Sequence, residues 1–126
     1  MRVLVIDNNK FSQTVFESEL HQQNVMVDLA TDGAVGLELL RKNKPDLVVM
    51  ELILPKINGF DLLDAVKKDK NLKHIPILVY TELAQKNDKD EALDKGITKF
   101  FSKDDFSPKQ IIQEILNILM NTTPSA

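Results

Sequence analysis

No cysteine occurs anywhere in the 126 residues, which excludes disulfides, zinc–thiolate centres and thiol nucleophiles together. A cysteine-free chain also suits a reducing compartment. Long apolar runs are missing too, and none approaches the roughly 20 residues of a membrane-spanning helix. The first residues lead directly into a strand-like segment, without the organisation of a signal peptide. A soluble, cytoplasmic protein with no membrane contact is therefore expected. Basic charge is not in excess, since 16 Lys and Arg face 19 Asp and Glu for a formal net charge of −3. Direct nucleic-acid binding is not expected of such a chain, which also lacks a basic amphipathic helix. Glycine is scarce, at 4 residues, and no Gly-rich phosphate loop follows an apolar run. Asp32-Gly33-Ala34-Val35-Gly36 is too loose for a dinucleotide fingerprint. The two histidines, His21 and His74, show no metal-ligand spacing and read as surface residues.

What is present suffices for one domain with a real core: 43% of the chain is hydrophobic and 28% charged. Short apolar runs alternate with longer amphipathic stretches. Val3-Leu4-Val5-Ile6 is a continuous apolar run, as in a strand buried on both faces of a sheet, and it ends in Asp7-Asn8-Asn9. Phe11, Val15 and Leu20 then recur at helical spacing, with Asn8 or Asn9 as N-cap. Val25, Val27 and Leu29 alternate as a second strand, and Asp32-Gly33 turns the chain. Val35, Leu39 and Leu40 mark a second helix, closed by Asn43-Lys44-Pro45.

Leu47-Val48-Val49-Met50 forms the third strand and ends in an acid, Glu51. Pro55 and Asn58-Gly59 constrain the loop before a helix carrying Leu62, Leu63 and Val66. The fourth strand is Ile75 to Tyr80, with Thr81 at its end and Pro76 tolerated near its start. A charged helix from about Ala84 to Lys95 follows, closed by Gly96. Its run Lys86 to Lys95 suits a solvated face or a partner surface. Phe100-Phe101 gives a short fifth strand leading to Ser102 and Lys103. Ser107-Pro108 starts a last helix with Ile111, Ile112, Ile115, Leu116 and Leu119 on one face. Met26 and Met50 fall on strand positions and are expected to fill core gaps. Residues 1–120 are read as one domain and 121–126 as a tail or linker stub.

Five strand signals alternating with five helix signals predict an α/β fold with a doubly wound parallel five-stranded sheet. In such sheets ligands bind beyond the carboxyl ends of strands, where strand order reverses. For the order 2-1-3-4-5 that point lies between the first and third strands, which end in Asp7-Asn8 and Glu51. Thr81 and Lys103 end the fourth and fifth. Singly, each of these is an ordinary loop residue. Together they place two acids, a hydroxyl and an ammonium at one sheet edge, a set suited to an oxyanion or a hard cation.

These residues resemble the receiver domain of response regulators, the phosphoryl-accepting module of two-component (phosphorelay) signal transduction. The resemblance covers nearly the whole chain. It rests on Val3-Leu4-Val5-Ile6-Asp7, on Leu47 to Gly59 with Leu54-Pro55-Lys56-Ile57-Asn58-Gly59, on Thr81, and on Gly96 to Lys103. It implies a flavodoxin-like (βα)5 fold and a signalling module rather than an enzyme. Family members bind Mg²⁺ through an acidic pair after strand one, the acid after strand three and a nearby backbone carbonyl. The strand-three aspartate takes a phosphoryl group from a histidine kinase. The hydroxyl and lysine then contact its oxygens and shift the face of the fourth helix, fifth strand and fifth helix, through which effectors and homodimers associate.

Carried over residue by residue, Asp7 is the first acid of the pair, Ile53 supplies the carbonyl, Thr81 and Lys103 contact the phosphoryl, and Phe100 is the aromatic switch. The departures are Asn8 in place of the second acid, Glu51 at the phosphoacceptor position, and Asp104 where the family has proline after the lysine. Mg²⁺ demands near-octahedral oxygen ligation, so losing a carboxylate at Asn8 should leave metal binding weak or lost. A nucleophile displaced by on the order of 1 Å loses about a hundredfold in rate. The longer Glu51 carboxylate is instead expected to reach Lys103. The chain thus reads as an atypical, phosphorylation-independent pseudo-receiver. Competing readings are a working Mg²⁺-dependent phosphoacceptor, an unrelated flavodoxin-like module for a small anion, and an interaction domain whose pocket is a relic. A relic would tolerate Lys103→Ala with little change.

Overall fold

The computed structural model describes residues 1–83 and 85–122. The strands are β1 (Arg2–Ile6), β2 (Met26–Ala30), β3 (Leu47–Met50), β4 (Ile77–Thr81) and β5 (Lys99–Ser102). They alternate with the helices α1 (Lys10–Gln22), α2 (Gly33–Asn43), α3 (Gly59–Lys68), α4 (Lys86–Asp94) and α5 (Pro108–Thr122). All pairings are parallel and the order is β2-β1-β3-β4-β5. This is the flavodoxin-like order expected, and the register pairs Ile6 with Met50. Asp7 and Glu51 therefore leave the sheet side by side.

Successive strand residues point to opposite faces, so each buried strand feeds two apolar layers. Leu4, Ile6, Val48, Met50, Ile77 and Val79 face the side filled by Leu40 of α2, Leu62, Leu63 and Val66 of α3, and Ala92 of α4. Val3, Val5, Val49, Leu78 and Tyr80 face Phe16 and Leu20 of α1 and the Ile111, Ile112, Ile115 and Leu119 stripe of α5. Both faces are covered, which is why β1, β3 and β4 are apolar without alternation.

Local chemistry sets the helix starts. The side-chain oxygens of Asn9, Asp32 and Asn58 accept from the N–H groups of Ser12, Val35 and Asp61, capping α1, α2 and α3. Before α5, Ser107 and Gln110 exchange a capping box: the Ser107 N–H donates to Gln110 Oε1 at 2.8 Å, and the Gln110 N–H to Ser107 Oγ at 3.4 Å. After α4, Gly96 takes a φ of +88°, a left-handed geometry in which a side chain would be strained.

Some expectations fail in phase. Met26 is 59% exposed on the edge strand β2, so it fills no core gap, whereas Met50 does. Phe11 is 69% exposed; α1 instead buries Ser12, Gln13, Phe16 and Leu20, because the sheet selects a face offset by one residue around the helix from Phe11 and Val15. Val35 is also largely outside, and buried Gly36 lies against Ile6 in its place. Pro76 precedes β4, where its carbonyl accepts from the Val48 N–H at 3.0 Å. α4 begins at Lys86, and Ala84 lies outside the described residues. α5 runs through Thr122, two residues into the segment read as a tail; 123–126 lie outside the described residues.

Candidate functional site

Four of the expected side chains meet beyond the carboxyl ends of β1, β3, β4 and β5. Asp7 is buried, its N–H donating to the Ala30 carbonyl at 2.9 Å. Both oxygens of its carboxylate have a partner: Oδ1 accepts from the Asn9 N–H at 2.8 Å and Oδ2 from Lys103 Nζ at 2.8 Å. Buried Gln13 of α1 donates through Nε2 to the Asp7 carbonyl, which ties the helix to this acid.

Glu51 leaves β3 with its N–H on the Ile6 carbonyl at 2.9 Å and turns its carboxylate inward. Oε2 accepts from the Thr81 hydroxyl and from the N–H groups of Leu52 at 2.6 Å and Ile53 at 3.2 Å. Oε1 accepts from the Glu82 N–H at 3.2 Å and lies 3.3 Å from Lys103 Nζ. Five donors thus surround one carboxylate. The loop that supplies two of them is held close by Gly59, whose N–H donates to the Leu52 carbonyl at 2.8 Å. A Cβ at Gly59 would lie 2.5 Å from Leu52 Cα.

Lys103 is delivered by its own N–H, which donates to the Thr81 carbonyl at 2.8 Å. Its ammonium bridges Asp7 and Glu51 and sits 5.6 Å above the Tyr80 ring. Tyr80 is pinned in turn, its hydroxyl donating to the Phe106 carbonyl at 2.6 Å. Burial works against the charged form of Lys103, but the hydrogen bond to Asp7 and the charges of Asp7 and Glu51 outweigh it and hold the ammonium above the ordinary lysine range. Burial pushes the Asp7 carboxyl up, opposed by its bonds to Lys103 and the Asn9 N–H.

The remaining expected residues stand apart from this cluster. Asn8 is exposed and, with Ile53, lines the mouth of a cleft of about 210 Å³ that also borders Asn9, Glu51, Glu82 and Lys103. Phe100 is half-buried against the layer beneath α2, α3 and α4, on the sheet face opposite Tyr80. Asp104 follows Lys103 with its N–H on Ser102 Oγ at 3.0 Å. Sequence reasoning missed the Leu52, Ile53 and Glu82 N–H groups, which carry no side-chain signature. It also missed Gln13 and Tyr80, which read as ordinary helix and strand residues.

A divalent cation does not fit this donor set as arranged. The carboxylate oxygens of Asp7 and Glu51 are already occupied by N–H, hydroxyl and ammonium donors, and the third position is the uncharged Asn8. Among the described residues no group of three or more His, Cys, Asp or Glu could hold a metal ion.

A doubly wound parallel sheet with acids, a hydroxyl and a lysine at its switch point defines a receiver-type signalling module. The sequence pattern of the response regulator receiver domain matches residues 3–116, and the chain belongs to that family. It is 29% identical over 121 residues to the DNA-binding dual master transcriptional regulator RpaA of Synechocystis, a match covering 96% of this chain and 50% of that protein. The chain thus spans about half the length of that relative. Among solved structures, the non-phosphorylated HemR receiver domain of Leptospira biflexa superposes with a TM-score of 0.86 at 27% identity, covering 99% of this chain and 98% of that one. The receiver domain of the sensor histidine kinase PA1611 from Pseudomonas aeruginosa, which holds a magnesium ion in its active-site cleft, superposes at 0.78 with 25% identity, covering 91% and 93%. Receiver domains are signalling modules of two-component systems. Among the described residues no helix is long and apolar enough to cross a membrane.

Proposed function

We propose that this receiver domain works without phosphorylation, as a cytoplasmic pseudo-receiver in which Glu51 stands for the phosphorylated acceptor. One observation carries this reading: the Glu51 carboxylate itself holds Thr81 and Lys103, the two residues whose family counterparts contact phosphoryl oxygens. A carboxylate supplies less charge and fewer acceptor oxygens than a phosphoryl group, so the arrangement imitates the modified state only in part. The unmodified chain would signal through its surfaces. The α4–β5–α5 face is the one proposed to meet a histidine kinase, an effector or a second copy. There Leu93 is 43% exposed and Lys99 of β5 pairs with Glu114 of α5 at 2.7 Å. Phe100 would couple this face to the pocket, and any Mg²⁺ bound through Asp7, Asn8, Glu51 and the Ile53 carbonyl would be held weakly.

The test is acceptance of a phosphoryl group from acetyl phosphate with Mg²⁺ present, read as the intact mass of the protein. The wild-type chain should gain nothing, because its acceptor is displaced and its metal ligands are incomplete. Glu51→Asp combined with Asn8→Asp should gain one phosphoryl group. Phosphorylation of the wild-type chain at Glu51 would overturn the reading in favour of a working phosphoacceptor. A folded double variant that stays inert would show that these two positions do not account for the loss.

A further inference from the structure

We infer that the free edge of β2 is a self-association surface, to which a second copy of this chain adds its own β2 in antiparallel fashion, extending the sheet across a two-fold axis. This pairing needs only the fold and holds whether or not Glu51 takes a phosphoryl group. β2 is an outer strand of the sheet. Its Met26 N–H donates to the Met1 carbonyl at 2.9 Å, and its Ala30 carbonyl accepts from the Asp7 N–H at 2.9 Å. Met26, Asp28 and Ala30 therefore direct their backbone groups toward β1, and the alternate residues Val27 and Leu29 turn theirs to the open side. The other outer strand, β5, carries the exposed Lys99, a residue type that guards an edge. β2 reads Met26-Val27-Asp28-Leu29-Ala30 and has no lysine, proline or glycine. Apolar surface flanks it on both faces of the sheet. On one face, a cleft of about 450 Å³ between α1 and β2 is lined by Thr14, Glu17, Ser18, His21, Val25 and Val27. On the other, Met26 is 59% exposed and Val35 of α2 38%. Val35, Leu39 and Asn43 share one stripe of α2, and Asn43 Nδ2 donates to Asp28 Oδ2 at 3.0 Å, so that stripe runs beside β2.

A second copy fits this edge because the strand is complementary to itself about Val27. With Val27 on the axis, its N–H and carbonyl pair with those of the partner's Val27, and the Leu29 N–H reaches the partner's Val25 carbonyl. The Val25 N–H is already held by the Leu20 carbonyl at 3.0 Å. On the α1 face, Val25 and Leu29 meet across the seam over the two clefts, where the short side chains of Thr14 and Ser18 leave room for them. On the α2 face, Asp28 comes opposite the partner's Met26. Arg2 reaches the sulfur of Met26 in its own copy at 3.7 Å, and Asp28 of its own copy at 3.2 Å. The one charge on the strand thus lands beside an arginine of each copy. Moving the axis one residue, to Asp28, would instead set Asp28 against Asp28, a like-charge pair that direct cross-strand contact disfavours.

The experiment uses the full chain in sedimentation equilibrium from about 10 µM to about 1 mM, the range of weak association, with amide hydrogen exchange read at the same concentrations. The wild-type chain should pass from monomer to dimer as concentration rises. Exchange should slow at Val27 and Leu29, while Met26, Asp28 and Ala30, whose N–H groups face β1 in either state, stay constant. Val27→Pro removes an outward N–H that the β1 ladder does not use and should abolish the dimer. Met26→Glu faces Asp28 of the partner and should weaken the dimer on the order of tenfold, whereas Met26→Lys should not weaken it. If Val27→Pro fails to fold, the two Met26 variants decide, because their new charges stay in water in the monomer. A chain that remains monomeric throughout overturns the inference and leaves the edge to a foreign extended segment. A dimer that survives Val27→Pro, or one that slows exchange on β5 instead of β2, overturns it as well. So does equal weakening by Met26→Glu and Met26→Lys. None of these outcomes bears on phosphoryl acceptance, which the mass measurement on Glu51→Asp with Asn8→Asp decides separately.

Discussion

Two lysines in this fold each stand between two carboxylates, and their first distances are the same. Lys103 lies 2.8 Å from Asp7 and 3.3 Å from Glu51; Lys95, near the end of α4, lies 2.8 Å from Asp64 and 4.0 Å from Glu91. In both cases the partners hold the ammonium above its ordinary range. Burial separates them. The acids beside Lys103 are 4% and 3% exposed, whereas those beside Lys95 are 44% and 54% exposed. Water can replace Lys95 as a partner for Asp64 and Glu91, but it cannot easily reach Asp7 and Glu51. The contact distance of an ion pair thus says little until the fate of each partner left alone is known.

The largest expected effect follows from that difference. Lys103→Ala strands two buried carboxylates and should cost about 3 kcal/mol of unfolding free energy without added divalent cation. That is the lower end of the range for breaking a buried pair, chosen because the lysine retains some solvent contact. Urea unfolding checks it, with an unchanged slope as evidence that the native state is otherwise intact. A cost near zero would return the pocket to the relic reading and erase the contrast with Lys95.

An intermediate effect is expected at Thr81, which is fully buried and belongs to the same cluster without bearing charge. Its hydroxyl donates to Glu51 and accepts the Leu83 N–H at 3.1 Å. Thr81→Val keeps the shape but leaves that N–H without its acceptor and Glu51 with one donor fewer. A loss of about 1–3 kcal/mol should follow. Glu51 keeps four other donors, so Thr81→Val should disturb the Glu82 and Leu83 amides more than those of Asp7 and Asn9. An even spread of chemical-shift changes would mean that the cluster responds as one rigid unit.

The meeting of Asp7, Glu51, Thr81 and Lys103 was legible because it follows from strand order alone. Once β1 lies beside β3 and β4 beside β5, residues ending those strands share an edge. The reach of Glu51 to Lys103 was legible from its extra methylene. That Asp7 would be the nearer partner was not, since it depends on how Lys103 leaves β5 over Tyr80. The backbone donors around Glu51 were hidden for a related reason: they come from the path of the loop beyond Met50, which Gly59 holds close but which no residue type spells out. Phe11 and Met26 show the matching limit for the core. Periodicity identifies an amphipathic helix or a strand, but the face that is buried depends on the partner element. In α1, Gln13 is turned inward to the Asp7 carbonyl and Phe11 outward.

The smallest effect belongs to the other lysine, and it completes the comparison. Lys95→Ala removes the 2.8 Å contact to Asp64 and the looser one to Glu91, yet leaves both acids in water. The unfolding midpoint should stay within measurement error of the wild type at moderate ionic strength, where exposed pairs are screened. Because the folded-state pKa of Lys95 is raised above 10.5, chiefly by its hydrogen bond to Asp64, any contribution is fully present below that value. It is lost only as pH rises through the raised pKa. A pH scan from neutral to mildly alkaline should therefore run parallel for wild type and Lys95→Ala. A gap at low ionic strength that closes as salt is added would assign the residual effect to screened Coulomb attraction. A gap that persists in salt would make Lys95 a packing residue, its stem lying along the surface between α3 and α4.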